Sequence, residues 1–217
     1  MPRPVVFVLA GVNGAGKSSV GGYLLEQAGL SWFNPDHYAR ELLDATGCSQ
    51  TEANADAWQE GMRRLDAALT ERQAYAFETT LGGKAVPARL KAAAATHDLI
   101  VWFCGLDSPE LHLARVRARV AAGGHDIAEA KIRERWVNSR ANLIALMPHL
   151  ACLRVFDNSA PAAADGTIPD PLPVLEMTEG RVLWPVTPDD LRHTPDWAKP
   201  LVEVALSIAP PNLATPN

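Results

Sequence analysis

Cysteine is scarce: Cys48, Cys104 and Cys152 are spread over 217 residues, odd in number and without metal-type spacing. That excludes a disulfide framework or a zinc site built on thiol pairs, and fits a reducing compartment. Cys104 and Cys152 lie in apolar runs and read as small core residues. Long hydrophobic runs are also lacking. No stretch approaches the roughly 20 apolar residues of a membrane span. The start, Met1-Pro2-Arg3-Pro4, enters a short strand-like segment with no apolar region of export length. The expectation is a cytoplasmic protein with no membrane partner. An excess of positive charge is missing too. The net charge of −5 argues against a general nucleic-acid binder. No internal repeat or low-complexity tract is visible.

What is present is a glycine-rich stretch after an apolar run. Val5 to Ala10 reads as a buried strand, Gly11-Val12-Asn13-Gly14-Ala15-Gly16-Lys17-Ser18 matches G-x-x-x-x-G-K-[ST], and Ser19 to Gln27 reads as a helix. This order points backbone N–H groups and a helix N-terminus at phosphate oxygens. The pattern thereby predicts binding of ATP or GTP rather than a plain turn between strand and helix. Gly11, Gly14 and Gly16 let the backbone curl, and Asn13, Gly14, Ala15 and Gly16 supply N–H donors. Lys17 reaches the β- and γ-phosphates, and the Ser18 hydroxyl is a ligand for Mg²⁺. Ser19 sits in the first helical turn and is the weaker member of this set.

Apolar residues make up 47% of the chain, enough for one α/β domain with an appendage. Strand-like segments at 30–33, 75–80, 98–105 and 153–156 alternate with helical ones at 37–45, 51–72, 86–95, 109–122 and 126–147. The alternation predicts a parallel sheet with helices on both faces, of the kinase-like P-loop kind. In such sheets ligands gather at the carboxyl ends of the strands, where Gly11–Ser18, Asn34–Asp36, Glu78–Thr80 and Asp157–Ser159 all fall. Eleven of the 17 prolines lie in 160–217. That segment reads as an extension packed on a 1–159 core, with a hairpin of strands at 174–177 and 182–184 and a helix at 196–208.

Several polar groups carry candidate chemistry. Asp36 follows the second strand and suits two roles, a base taking the proton of an attacking hydroxyl or the N-cap of the next helix. Glu78, Thr79 and Thr80 end the third strand. Glu78 is placed to bind acceptor hydroxyls or to assist Mg²⁺ through water, and the group equally suits an ordinary strand exit. Residues 111–140 hold seven Lys/Arg against three Asp/Glu in an acidic chain. His112, Arg115 and Arg119 share one helix face, and Lys131, Arg133 and Arg135 follow the Gly123-Gly124 break. Two arginine-rich helices meeting at glycines predict a lid, at about 115–136, that closes over the phosphates and stabilises transferring charge. A solvated helix surface is the plainer reading of the same charges. His125 reads as structural. Asn158, in Asp157-Asn158-Ser159, stands where adenine-contacting loops sit, or forms a turn.

With these pieces in order the chain resembles the zeta-toxin family of P-loop kinases, on GVNGAGKSS at 11–19, FNPD at 33–36, FETTL at 77–81, GGHDI at 123–127, IRERW at 132–136 and FDNS at 156–159. The resemblance implies transfer of a phosphoryl group from ATP or GTP to a hydroxyl of a small molecule, with UDP-N-acetylglucosamine as the acceptor of the best-known members. It implies Lys17 and Ser18 at the phosphates and Mg²⁺, Asp36 as base, Glu78 and Thr80 near the acceptor, and lid arginines at Arg119 and Arg133 or Arg135. An antitoxin is the protein partner it suggests. The chain departs from the plasmid toxins in lacking their long insertions and in its compact GGHDI lid. The sequence reading is therefore a kinase acting on a small hydroxyl-bearing metabolite. Its rivals are a nucleic-acid 5′-hydroxyl kinase, disfavoured by charge, and a nucleotide-dependent switch without a metabolite substrate.

Overall fold

The computed structural model describes residues 2–19, 21–22, 31–161 and 168–208. Strand β1 (Val5–Ala10) is buried from Val6 onward because it lies inside the sheet with helices on both sides. An inner strand covered on both faces needs an unbroken apolar run. It pairs in parallel with β2 (Tyr75–Thr79) on one side and β3 (Asp98–Gly105) on the other. β4 (Cys152–Asp157) continues the parallel series beside β3.

Beyond β4 the direction changes. β5 (Leu172–Thr178) and β6 (Arg181–Trp184) are antiparallel, giving the order β2-β1-β3-β4-β5-β6. The expected parallel sheet is thus a mixed one, four parallel strands plus a hairpin from the proline-rich segment. Glu179 and Gly180 turn that hairpin with φ of 50° and 74°, the positive pair that matches strand twist in a two-residue connection.

The second expected strand shrinks to one position, and its first residue, Leu30, lies outside the described residues. Phe33 alone bridges β2: its N–H donates to Ala76 O at 2.9 Å and its carbonyl accepts from Glu78 N at 2.9 Å. The next residues end the pairing. The Asn34 side chain accepts from the N–H groups of Asp36 and His37, and Pro35 opens helix α1 (Pro35–Thr46). Helix α2 (Gln50–Glu71) starts in a Ser49/Glu52 capping box. α3 (Ala85–Ala93), α4 (Pro109–Ala121), α5 (Glu129–Leu146), α6 (Pro188–Arg192) and α7 (Lys199–Ile208) follow. α5 begins three residues later than the sequence suggests. Asp126 turns its carboxylate to Ile127 N, and Ala128 takes the cap position without a side-chain bond.

The period-2 alternation of β1 divides the core. Val6 and Val8 join Phe77, Val101, Phe103, Leu143 and Leu146 in the large cluster on one face. Phe7 and Leu9 face the other way, with Trp102 and Ile100. Gly21, in the helix after the glycine loop, backs directly onto Leu9, so that helix lies on the second face. No helix among the described residues is long and apolar enough to cross a membrane.

Candidate active site

The loop after β1 is braced from several directions. Gly11 N donates to Thr79 O at 3.2 Å, and Ala15 N to Val12 O at 3.1 Å. His112 Nδ1 lies 2.8 Å from Asn13 O; a carbonyl only accepts, so Nδ1 carries the proton. Arg135 Nη1 donates to Asn13 Oδ1 at 2.7 Å, and Asn158 Nδ2 to Ala15 O at 2.9 Å. Residues 17–19 and 21–22 are helical, so the loop ends on a helix N-terminus. The curl that results is shaped for phosphate oxygens.

Gly16 shows how tight it is. Its φ is +85°, and a Cβ there would run into Asn158 Nδ2. Gly16→Ala is expected to destabilise the fold by about 1–2 kcal/mol for the left-handed backbone alone, and to abolish nucleotide binding by displacing Asn158. Urea unfolding alongside nucleotide titration checks both; a variant that bound nucleotide normally would refute the packing argument.

His112 is 1% exposed. Burial pushes its imidazole down to about 4, with Lys17 and Arg115 adding to the fall and the Asn13 bond opposing it. The unfolded chain therefore takes up the proton first. Stability attributable to neutral His112 is full above about pH 6.5 and is lost as pH falls toward 4. The loss is on the order of 3 kcal/mol, and His112→Gln should flatten that part of the stability–pH curve.

Lys17 and Glu78 are each 7% exposed and form the corner of the site. Lys17 Nζ lies 3.4 Å from Glu78 Oε1, and Ser18 Oγ donates to Glu78 Oε2 at 2.8 Å. Asn34 Nδ2 reaches both Ser18 Oγ, at 3.3 Å, and Glu78 Oε2, at 3.1 Å. A hydroxyl oxygen and a carboxylate converging beside an ammonium suit Mg²⁺, which binds through one or two protein oxygens together with phosphate oxygens and water. Glu78 thus stands with Lys17 and Ser18 at the phosphate end while also lining the cleft described below.

The cap of α1 is Asn34, not Asp36, so the Asp36 carboxylate has no capping duty. Its partner is Arg119, with Nη1 3.7 Å from Asp36 Oδ2; the two side chains are 37% and 41% exposed. Arg119 Nη2 also donates to His125 O at 3.4 Å, tying α4 to the loop before α5. Thr79 and Thr80 use their hydroxyls to accept from Leu81 N and Gly82 N, and both line the cleft. Ser139 Oγ holds Thr80 O at 2.5 Å.

Not every expected residue reaches this place. Arg133 points to the outer surface, paired with Glu110 at 2.7 Å and Glu129 at 2.8 Å; the carboxylates on α4 and α5 claim it. Arg115 donates to Asn158 O at 2.7 Å and Ala160 O at 3.3 Å, fixing the loop after β4. Asn158 is 8% exposed and spends its amide on Ala15, so it supports the phosphate loop from behind. Ser19 is exposed in the first helical turn. Asn34 and His112 were missed as site residues. The Asn-Pro step signalled the first, and the shared face with Arg115 and Arg119 signalled the second.

A cleft of about 560 Å³ opens beside the corner. Asn13, Lys17, Glu78 and Arg135 line one part, Asp36 stands on its wall, and residues 125–127 with Lys131 and Glu134 border it from the side of α5. Phe33, Met62, Phe77 and Val86 make an apolar part. The room exceeds what a terminal phosphate needs and falls in the size range of small-molecule sites.

Comparison with known proteins agrees with this architecture. The profile of the AAA domain family matches residues 6–143. A protein of Chloroflexus aurantiacus, solved as a candidate kinase, is 19% identical with a TM-score of 0.50, covering 64% of this chain and 80% of that one. The AvrRxo1-ORF1:-ORF2 assembly solved with ATP is 16% identical with a TM-score of 0.64, covering 99% of this chain and 66% of that one. The PezAT chromosomal toxin–antitoxin system of Streptococcus pneumoniae is 15% identical with a TM-score of 0.53, covering 72% of this chain and 68% of that one. The fold is the P-loop kinase-like one, and the likeness to a toxin seen in the sequence is matched at the level of fold.

Proposed function

We propose, since this chain belongs to the AAA domain family over residues 6–143, that it is a phosphotransferase moving the γ-phosphoryl group of ATP to a hydroxyl of a small molecule. One observation carries the reading. A cleft with room for a second substrate holds Lys17 and Glu78 at its phosphate end and Asp36 on its wall. Hydrolysis or switching requires no such room.

The loop amides and Lys17 hold the β- and γ-phosphates, and Arg119 and Arg135 lie where charge spreads over the transferring group. Ser18 Oγ and Glu78 would hold Mg²⁺, which neutralises phosphate oxygens when bound. The acceptor oxygen attacks the γ-phosphorus, the bond to the β,γ-bridging oxygen breaks, and Asp36 takes the acceptor's proton. Arg119 must leave Asp36 as it turns toward phosphate. The exposed 3.7 Å pair is weak enough to allow that.

The zeta-toxin resemblance makes a nucleotide sugar the first acceptor to try and an antitoxin the first protein partner. ADP release is measured with UDP-sugars, free sugars and nucleosides, for the native chain and for Asp36→Asn. A defined acceptor should raise turnover in the native chain alone. Slow hydrolysis indifferent to every acceptor would overturn the reading in favour of a switch.

A further inference from the structure

The loop at 80–84, between β2 and α3, forms part of the cleft wall. Leu81 within it has φ of 55°, a left-handed conformation disfavoured for any residue with a Cβ. Such a conformation persists only where its surroundings over-determine it. The Leu81 side chain is buried in the large core. The loop's amides are served from within: Leu81 N donates to Thr79 Oγ1 at 3.0 Å and Gly82 N to Thr80 Oγ1 at 3.4 Å. Its carbonyls are not. Among the described residues no main-chain N–H reaches the oxygens of Thr80, Leu81 or Gly83. Helix α5 serves all three. Ser139 Oγ donates to Thr80 O at 2.5 Å, and Asn142 Nδ2 to Leu81 O at 2.7 Å and Gly83 O at 3.0 Å. Arg135, Ser139 and Asn142 recur at i, i+4 and i+7, one stripe of the helix. The stem of Arg135 crosses Gly82 too closely for a Cβ, and its guanidinium ends on Asn13 of the phosphate loop. One helix face thus holds both loops, and neither Ser139 nor Asn142 lines the cleft itself.

We infer that Ser139 and Asn142 are positioning residues, which fix the 80–83 wall of the cleft relative to the phosphate loop and so set how the acceptor hydroxyl meets the γ-phosphorus. This rests on the phosphotransferase reading. The nucleotide is held by the phosphate loop, which this stripe of α5 touches through Arg135 alone. Loosening 80–83 should therefore spare ATP and cost transfer, since misplacing a reactant by about 1 Å is worth about 10²-fold.

Three variants of the full chain test this with Mg²⁺: Asn142→Ala, Asn142→Asp, which keeps the shape and removes the donor, and Ser139→Ala. Hydrogen exchange at Leu81 and Gly82 reads the loop directly, and β3 amides, which open only with global unfolding, report stability. Relative to β3, both loop amides should exchange about tenfold faster in the Asn142 variants, the scale of one to two lost hydrogen bonds. Affinity for a non-hydrolysable ATP analogue and ADP release without acceptor should stay within about twofold of native. With the acceptor that the native chain uses among UDP-sugars, free sugars and nucleosides, kcat should fall about 10²-fold in the Asn142 variants and less in Ser139→Ala. Native exchange at Leu81 and Gly82, native kcat in both Asn142 variants, or a fall in kcat matched by equal losses of ATP affinity or of β3 protection overturns the inference while leaving phosphoryl transfer standing. No acceptor-dependent ADP release from the native chain overturns the phosphotransferase reading and this inference with it.

Discussion

Lys17→Ala should lose nucleotide binding and, separately, become less stable without nucleotide. The first effect follows from removing the only side-chain cation of the phosphate loop; loss of one such charge-stabilising group costs about 10²–10³ in rate. The second follows from burial. Lys17 and Glu78 are both 7% exposed and 3.4 Å apart, so the substitution leaves a buried carboxylate with, among the described residues, Ser18 and Asn34 for partners. Breaking a buried pair from one side costs about 3–5 kcal/mol, whereas replacing both members by neutral groups of similar size is close to neutral. Lys17→Met with Glu78→Gln should therefore regain most of the stability in urea while remaining inactive. A single variant as stable as the native chain would mean that the pair contributes nothing to the fold. A single variant that still bound ATP would remove the basis of the functional reading.

Asp36→Asn should have the opposite profile, little effect on stability or ATP affinity and a large one on transfer. A positioned general base is worth about 10²–10⁴, and the substitution preserves shape while removing the proton acceptor. Single-turnover kinetics with a saturating acceptor isolates the chemical step. Transfer within a factor of about three of native would move the base elsewhere. Arg119→Ala provides the contrast. It frees Asp36 from its ion pair but deprives the transferring group of a cation, so it should lower the rate of transfer while leaving the proposed base in place.

The glycine loop was readable at once because its spacing, the preceding strand and the following helix all express one physical need, backbone donors converging on an anion. β1 and β3 were equally plain as apolar runs, and β2 as a short apolar lead into polar residues. Glu78 was visible as a polar exit from β2, but its place beside Lys17 and Ser18 depends on β2 lying next to β1, a pairing that local sequence does not encode. The arginines were harder still. Helical spacing put His112, Arg115 and Arg119 on one face, and they do contact three different parts of the site. Arg133 and Arg135 are two residues apart, so they point about 200° apart around the helix, and only the packing of α5 decides which turns inward. Gly82 records that decision: Arg135 crosses it closely enough that a Cβ would lie 2.6 Å from the arginine Cγ. The short pairing at Phe33 and the joining of the expected hairpin to the edge of the sheet at β4 escaped for a related reason. Both are settled by what lies alongside rather than by the run of residues itself.

The β5–β6 hairpin has a bearing on where this protein can be cut. The family profile ends at residue 143, yet β4 begins at Cys152 and is flanked on its far side by β5 from Leu172 to Thr178. A fragment trimmed to the recognisable homology would lose an interior strand of the sheet. One trimmed after Ser159 would leave β4 with a bare row of amides and carbonyls, ready to recruit another chain. Inheritance and foldability have different borders in this molecule.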